Sequence, residues 1–498
     1  MGGFVLSKAS GVVRQSIIAR TFGASDQLDA YYAAFKLPDL LLTLVAGGAI
    51  ATTFIPAFSE HLSREDSGRA WRLASATLNV LLGTMAAIAL VAAILAPRLV
   101  RVLIAPGFDP RLQALTAELL RLVLFSSLFF VLSSLVMSVL QAHGHFLLPA
   151  LADFFYDVGI IGGALFLTPR LGIHGLAWGV VIGAGLHLLI QVPGLLYYGA
   201  RYVPTFRTGD RSLMQLGRLV GPRILILGMF QLVFLFTTNL ASGLGEGSIT
   251  AIHVGWIVMQ MPEVIFGMAI ATAAFPTLSR LAARDEQGRL RQVVANALQA
   301  ILWTILPSVV ALLLLSRSYI SLLFRGGAFN QRSVEMVYGA TVAFTAGLLG
   351  HSILELAARI FYAHKNTRTP FWVALGATVL NLGLCLALVS PLGYAGLALA
   401  NSIAVTLQSG LLLWLGQRSL VRFCWRRVWS LTWKATLASA AMAGVILLVT
   451  HQQGELGHLR TALLGSACGG LTYLVFLALL NKNEVSRLGD SVRSRFTH

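Results

Sequence analysis

The chain is poor in charge, in acid and in cysteine, and each shortage closes off a class of function. Charged side chains are 11% of its 498 residues, less than half of what soluble domains carry. Hydrophobic residues reach 56% and the mean hydropathy is +0.77. That balance excludes a soluble domain and points to a polytopic membrane chain. Acids are the scarcer sign, with 20 Asp and Glu against 37 Lys and Arg, a formal charge of +17. In a soluble chain such an excess suggests nucleic acid. In a membrane chain it belongs to cytoplasmic loops, so no nucleic-acid partner is assigned. Cys385, Cys424 and Cys468 have no C-x-x-C or metal spacing, so neither a disulfide framework nor a metal site is read. G-x-x-x-x-G-K-[ST], H-E-x-x-H and G-x-S-x-G are all missing, and "GLGEG" at 243 has no strand before it. No catalytic residue, enzyme activity or cofactor follows. Any pumping draws on an ion gradient, the membrane potential or the substrate gradient. No cleavable signal stands out, because the first apolar segment holds charges and leads straight into a second.

What is present is a series of apolar windows about 20 residues long between polar breaks. They predict an all-α chain of about 14 transmembrane helices near 2–22, 28–58, 71–96, 115–141, 147–168, 171–197, 216–240, 248–277, 293–315, 334–362, 370–389, 392–416, 433–450 and 460–481. Loops carrying Arg64, Arg69, Arg201, Arg280, Arg284 and Lys365 alternate with loops that have fewer cations, such as Arg98, Arg111, Arg170 and Arg325. The richer set is expected in the cytoplasm, with both termini on that side.

The chain also repeats itself at an offset of 221 residues: "LGIHGLAWG" at 171 matches "LGYAGLALA" at 392, and Ala142, His143 and Pro149 match Ala363, His364 and Pro370. "AIAT" at 49 recurs at 269, a one-residue slip in that register. Six helices, an even number, separate equivalent points. The repeats therefore share one orientation and are related by a pseudo-twofold axis along the membrane normal. The expected organisation is an N-lobe at 1–200, a C-lobe at 201–418, and a segment at 419–498 with an interfacial stretch, two further helices and a basic tail. Two six-helix lobes around a cavity suit alternating access by rocking.

Charges inside apolar spans are costly, so they mark candidate sites. The first span holds "SKASGVVRQSIIARTFGAS". At 1.5 Å per residue, Arg14 lies about 18 Å from the start of its helix, near the midplane. Lys8 is nearer the cytoplasm, and Arg20 is near the outer surface, where snorkelling accounts for it. Arg14 is the preferred functional cation, the alternative being a structural partner of a carbonyl or carboxylate; its loss is expected to spare the fold. In the second span Asp29, Lys36 and Asp39 can neutralise one another, Lys36 and Asp39 being three apart, while Lys36 can equally serve a cavity. Pro38 invites a kink. His253, Gln260 and Glu263 are available in the eighth span, with hydrogen-bonded packing the commoner role of a membrane histidine. Asp153, Asp157, Glu355 and Arg359 suit interhelical pairs better than a relay. Trp425, Trp429 and Trp433 with Arg422, Arg426 and Arg427 fit an aromatic belt with cytoplasmic charge, or an interfacial helix on anionic headgroups.

"GVVRQSIIARTFGASDQLDAYYAAFKLPDLL" followed by "FIPAFSE", with "FPTLSRLAA" at 275 and "FYAHKNTRTP" at 361, resembles the MurJ (MviN) lipid II flippase family. Its superfamily also contains the MATE exporters and polysaccharide flippases. The resemblance implies movement of lipid II, or a related polyprenyl-diphosphate sugar, from the cytoplasmic to the periplasmic leaflet of a bacterial inner membrane. It makes cell-wall synthesis proteins candidate partners. Central cations would grip the pyrophosphate, as a cationic cavity would. Arg14 falls on a functional arginine of the family, and Lys8 falls where another arginine is usual. Leu42, Gly47, Ile257 and Gln260 stand where charged residues are common, which makes the cavity less cationic. Lys8, Lys36 or Arg223 would compensate. Thr237, Asn381 and Cys385 replace the carboxylates of a sodium site known in some members, so no metal is assigned. The alternatives are a MATE-like exporter of small molecules and a membrane scaffold that transports nothing.

Overall fold

A computed structural model describes residues 2–47, 54–64, 66–205, 228–421, 425–451 and 453–480. Among them the chain is helical, with one isolated bridge between Gly326 and Phe329. Among the described residues nine helices are long and apolar enough to cross a membrane, or ten if Gln331–Thr345 and Leu348–Ala363, bent by 44°, form one span. The all-α membrane architecture read from hydropathy is therefore present. The chain divides into two compact units, residues 1–250 with 326–333 and residues 251–325 with 334–498.

In the first unit the helices are α1 (Gly2–Phe22), α2 (Asp26–Leu42), α3 (Ser67–Ile94), α4 (Pro110–Ala142), α5 (Leu147–Gly162), α6 (Ile173–Leu189) and α7 (Gly228–Ala241). Their starts follow from the sequence, because Ser25, Asp66 and Asp109 each accept a hydrogen bond from a backbone N–H three residues on. Such caps satisfy donors that a helix end leaves open. α2 runs through the buried Pro38 to Leu42 and continues as a wider π-turn at Thr43–Gly47. The α5–α6 crossing is set by glycine. A Cβ at Gly159 would lie 2.3 Å from the Gly183 Cα, and one at Gly163 would lie 2.4 Å from the Gly179 Cα. Both pairs are four residues apart on their own helices, the small-residue spacing that lets two backbones touch. The return segment 326–333 joins this unit through the Ala328 N–H, which donates to the Arg20 carbonyl at 2.8 Å.

The second unit contains α8 (Ser248–Pro262), whose first three residues belong to the first unit, then α9 (Ala269–Ala283), α10 (Gln287–Phe324), α11 (Gln331–Thr345), α12 (Leu348–Ala363), α13 (Arg368–Ser419), α14 (Trp425–His451) and α15 (Gln453–Leu480). The 52 residues of α13 are two helical stretches joined at one non-helical residue, each long enough to cross an apolar core of about 30 Å. α13 breaks at Gly393, whose φ of 56° leaves the helical region. α14 is one continuous helix from Trp425, and its apolar span begins at Thr432. Leu315, Ala438, Met442, Ile446 and Tyr473 form a core for α10, α14 and α15.

Candidate functional site

Two charged residues of the first unit, Arg14 and Asp157, meet where α1 packs on α5. Arg14 Nη1 donates to Asp157 Oδ1 at 2.7 Å, with 26% of the Arg14 side chain exposed and 5% of Asp157. Ser10 Oγ donates to the other carboxylate oxygen at 2.5 Å. The Arg14 guanidinium also lies 5.9 Å from the centre of the Tyr156 ring. One turn before Asp157, Asp153 accepts from Ser7 Oγ at 3.4 Å and lies 3.5 Å from His187 Nε2 on α6. His187 Nδ1 meets Ser133 Oγ at 2.6 Å, and Ser133 accepts from Gln191 Nε2 at 2.6 Å. The glycine contact between α5 and α6 brings His187 to Asp153. The result is one polar seam across α1, α4, α5 and α6 in an otherwise apolar interior.

The other predicted residues are placed as follows. Lys8 is exposed on α1, within electrostatic range of Asp153. Lys36 Nζ stands 5.5 Å from the centre of the Phe234 ring, within electrostatic range of Asp39. Asp29 is occupied elsewhere: it accepts from Gly247 N at 2.9 Å, Thr250 N at 2.7 Å and Thr250 Oγ1 at 2.6 Å. It therefore caps the start of α8 instead of sharing charge with Lys36. His253 and Gln260 are half-buried on α8, and Glu263 is buried just beyond it. Arg359 pairs with Glu355 one turn earlier on the same helix, so the interhelical pair expected of these two is an intrahelical one, because residues four apart share a helix face; the contact to another helix is Arg359 donating to Thr272 Oγ1 at 3.0 Å. Arg223 lies outside the described residues.

Leu42 packs against the cluster around Phe54, Phe58 and Trp71, so an apolar residue there serves the core. Cys385 Sγ donates to Asn381 Oδ1 at 3.2 Å inside α13, and no group of three His, Cys, Asp or Glu among the described residues can hold a metal. At the far end of α1 a cleft of about 690 Å³ is lined by Asp26, Asp109, Arg111, His174 and Glu246. Burial, with Glu246 and Asp109 close by, raises the Asp26 carboxyl above its usual range.

Sequence reasoning missed His187, Ser133 and Gln191. The signal was available: "GLHLLIQV" places a histidine and a glutamine in an apolar span, where each needs a partner.

Comparison with known proteins follows from this geometry. The sequence profile described as "Lipid II flippase MurJ" matches residues 18–464. The lipid II flippase MurJ of Burkholderia cenocepacia is 30% identical over 83% of this chain and 81% of its own. The probable lipid II flippase MurJ of Thermotoga maritima is 31% identical over 98% of this chain and 96% of its own. A solved lipid II flippase MurJ in an inward closed conformation superposes with a TM-score of 0.83 at 25% identity, covering 97% of this chain and 98% of that one. An inward-facing multidrug resistance MATE transporter of the MOP superfamily shares the fold at a TM-score of 0.72 and 16% identity, over 86% of this chain and 95% of that one.

Proposed function

The chain belongs to the lipid II flippase MurJ family, and from that premise we propose that Arg14, with Lys8, Lys36 and Asp39 as further contributors, receives the diphosphate of lipid II as the lipid crosses to the periplasmic leaflet. The observation that carries this reading is the position of Arg14. It lies about 18 Å along its helix, bound to Asp157 at 2.7 Å with 26% of its side chain still exposed, so the pair does not seal the residue off from an anion. Arginine fits this task because its planar fork binds phosphate oxygens in pairs. Lys8 supplies charge without that fork. Asp29, committed to the α8 cap, supports the site from outside.

Finer features extend this reading. Fourteen spans, two six-helix lobes at 1–200 and 201–418, the added segment at 419–498 and cytoplasmic termini are supported by the internal repeat, the break at Gly393 and the loop charges. Each lobe then offers the headgroup to one membrane face in turn, driven by an ion gradient, the membrane potential or the lipid gradient. Cell-wall synthesis proteins are the partners that supply and consume such a lipid.

The test is binding by purified protein, measured side by side for lipid II, an undecaprenyl-diphosphate oligosaccharide and undecaprenol. The diphosphate lipids should bind at least about tenfold tighter than the neutral alcohol, the equivalent of about 1.4 kcal/mol. Equal binding of all three would remove the role of the cations.

A further inference from the structure

We propose that Asp157 is a proton-binding site coupled to the headgroup: it holds Arg14 while ionised and takes up one proton when Arg14 passes to the diphosphate. This rests on the reading that Arg14 receives the diphosphate.

Arg14 presents one fork, and Asp157 already occupies Nη1 at 2.7 Å. A headgroup diphosphate brings two more negative charges to the same cation. In a site removed from bulk water, three negative charges around Arg14 repel one another strongly. Protonating Asp157 removes one of them and frees Nη1. The proton balance is simple: the carboxylate becomes a carboxylic acid as the anion binds and returns the proton as the anion leaves, while Arg14 stays charged throughout.

Groups able to exchange that proton with solvent stand one turn away. Asp157 is 5% exposed, whereas Asp153, one turn earlier, is 63% exposed and touches His187. Ser133 suits both protonation states of His187. When Ser133 Oγ donates to Nδ1, neutral His187 carries its proton on Nε2, facing Asp153. When Nδ1 is protonated it donates to Ser133 Oγ, whose own hydrogen turns to the His187 carbonyl at 3.3 Å. Gln191 donates to the same oxygen in either case. An oxygen with two lone pairs and one hydrogen can serve all three partners.

The charged and titratable groups facing Asp157 and its pair are Lys8 and Arg14 from α1 and Tyr31, Tyr32 and Asp39 from α2. Tyr156 and Asp153 face it from α5 and His187 from α6. Of these, Asp157 alone has a carboxylate oxygen on Arg14 among the described ion pairs.

The experiment measures lipid II binding to the full chain in nanodiscs between pH 5.5 and 8.5, a range in which the doubly esterified diphosphate does not titrate. Wild-type binding should weaken as pH rises, with a slope approaching about tenfold per pH unit, the limit for one linked proton. Asp157→Asn, which keeps the shape and the acceptor for Ser10, should bind with less than about twofold variation and be about tenfold tighter than wild type at pH 8. Calorimetry on wild type at pH 7.5, in two buffers of different ionisation enthalpy, reads the proton uptake without any variant. Wild-type binding that ignores pH, absence of proton uptake, or an unchanged slope in Asp157→Asn would each overturn the proposal. Arg14→Ala is the separate control. If it binds as wild type at every pH, the Arg14 reading fails; if it loses binding while Asp157→Asn keeps the slope, only the proton site fails.

Discussion

Removing Arg14 separates its structural role from its transport role. In Arg14→Ala, Asp157 keeps the Ser10 hydroxyl and loses its cation. Breaking a buried pair from one side typically costs about 3–5 kcal/mol, because the remaining charge is stranded. With Arg14 26% exposed and Ser10 still donating, the low end, about 3 kcal/mol, applies. At roughly 2 °C per kcal/mol for a long chain, the melting midpoint should fall by about 6 °C. The Asp157 pair thus adds a stability cost to the expectation from sequence of little loss of folded protein. Arg14→Ala with Asp157→Asn strands no charge and should recover about 2 kcal/mol of the loss. Transport should stay absent in both, since neither variant presents the guanidinium to the diphosphate. Thermal unfolding in one lipid and a leaflet-accessibility assay for lipid II give the two readouts. Wild-type transport by the double variant would refute the role of Arg14, and a double variant no more stable than Arg14→Ala would refute the ion-pair reasoning.

Asp29→Ala should cost about 2 kcal/mol, because Gly247 N and Thr250 N lose their acceptor at the start of α8, with lipid II binding per folded molecule unchanged. Normal unfolding with lost binding would instead give Asp29 a direct role. Gly183→Val places a Cβ 2.5 Å from the Tyr156 carbonyl oxygen, an overpacking of about 3 kcal/mol that pushes α6 from α5 and separates His187 from Asp153; wild-type stability and transport would contradict this account of the crossing. Asp26 has a raised carboxyl pKa, so the folded chain holds that proton more tightly than the unfolded one, and stability falls as pH rises through the interval between the two values. Asp26→Asn should therefore raise the melting midpoint by about 1 °C at pH 7.5 and leave it unchanged at pH 3; an equal rise at both pH values would exclude the charge as the cause.

The composition and the 20-residue apolar windows by themselves determined that this chain is an all-helical membrane protein, because no other spanning structure built from such runs satisfies every backbone group. The first span singled out Arg14 for the same kind of reason: a cation near the midplane persists only where something answers it. Helix starts at Ser25, Asp66 and Asp109 were equally local, each cap needing only a backbone N–H three residues on. What answers Arg14 was decided in three dimensions. Asp157 lies 143 residues away in sequence, and nothing in the spacing of one helix fixes which residue of another will face it. The same holds for Asp29, read beside Lys36 and Asp39 because sequence shows only neighbours, yet committed to a helix start more than two hundred residues on. Leu42 gave no sign of its apolar cluster until Phe54, Phe58 and Trp71 closed on it. His187 stood in the sequence as a polar residue in an apolar run, but its tie to Asp153 depends on a crossing so close that glycine must meet glycine. Hydropathy and capping act over one or two turns and so are legible in a single sequence, whereas charge pairing and helix contact act across the fold, and only the packed structure assigns their partners.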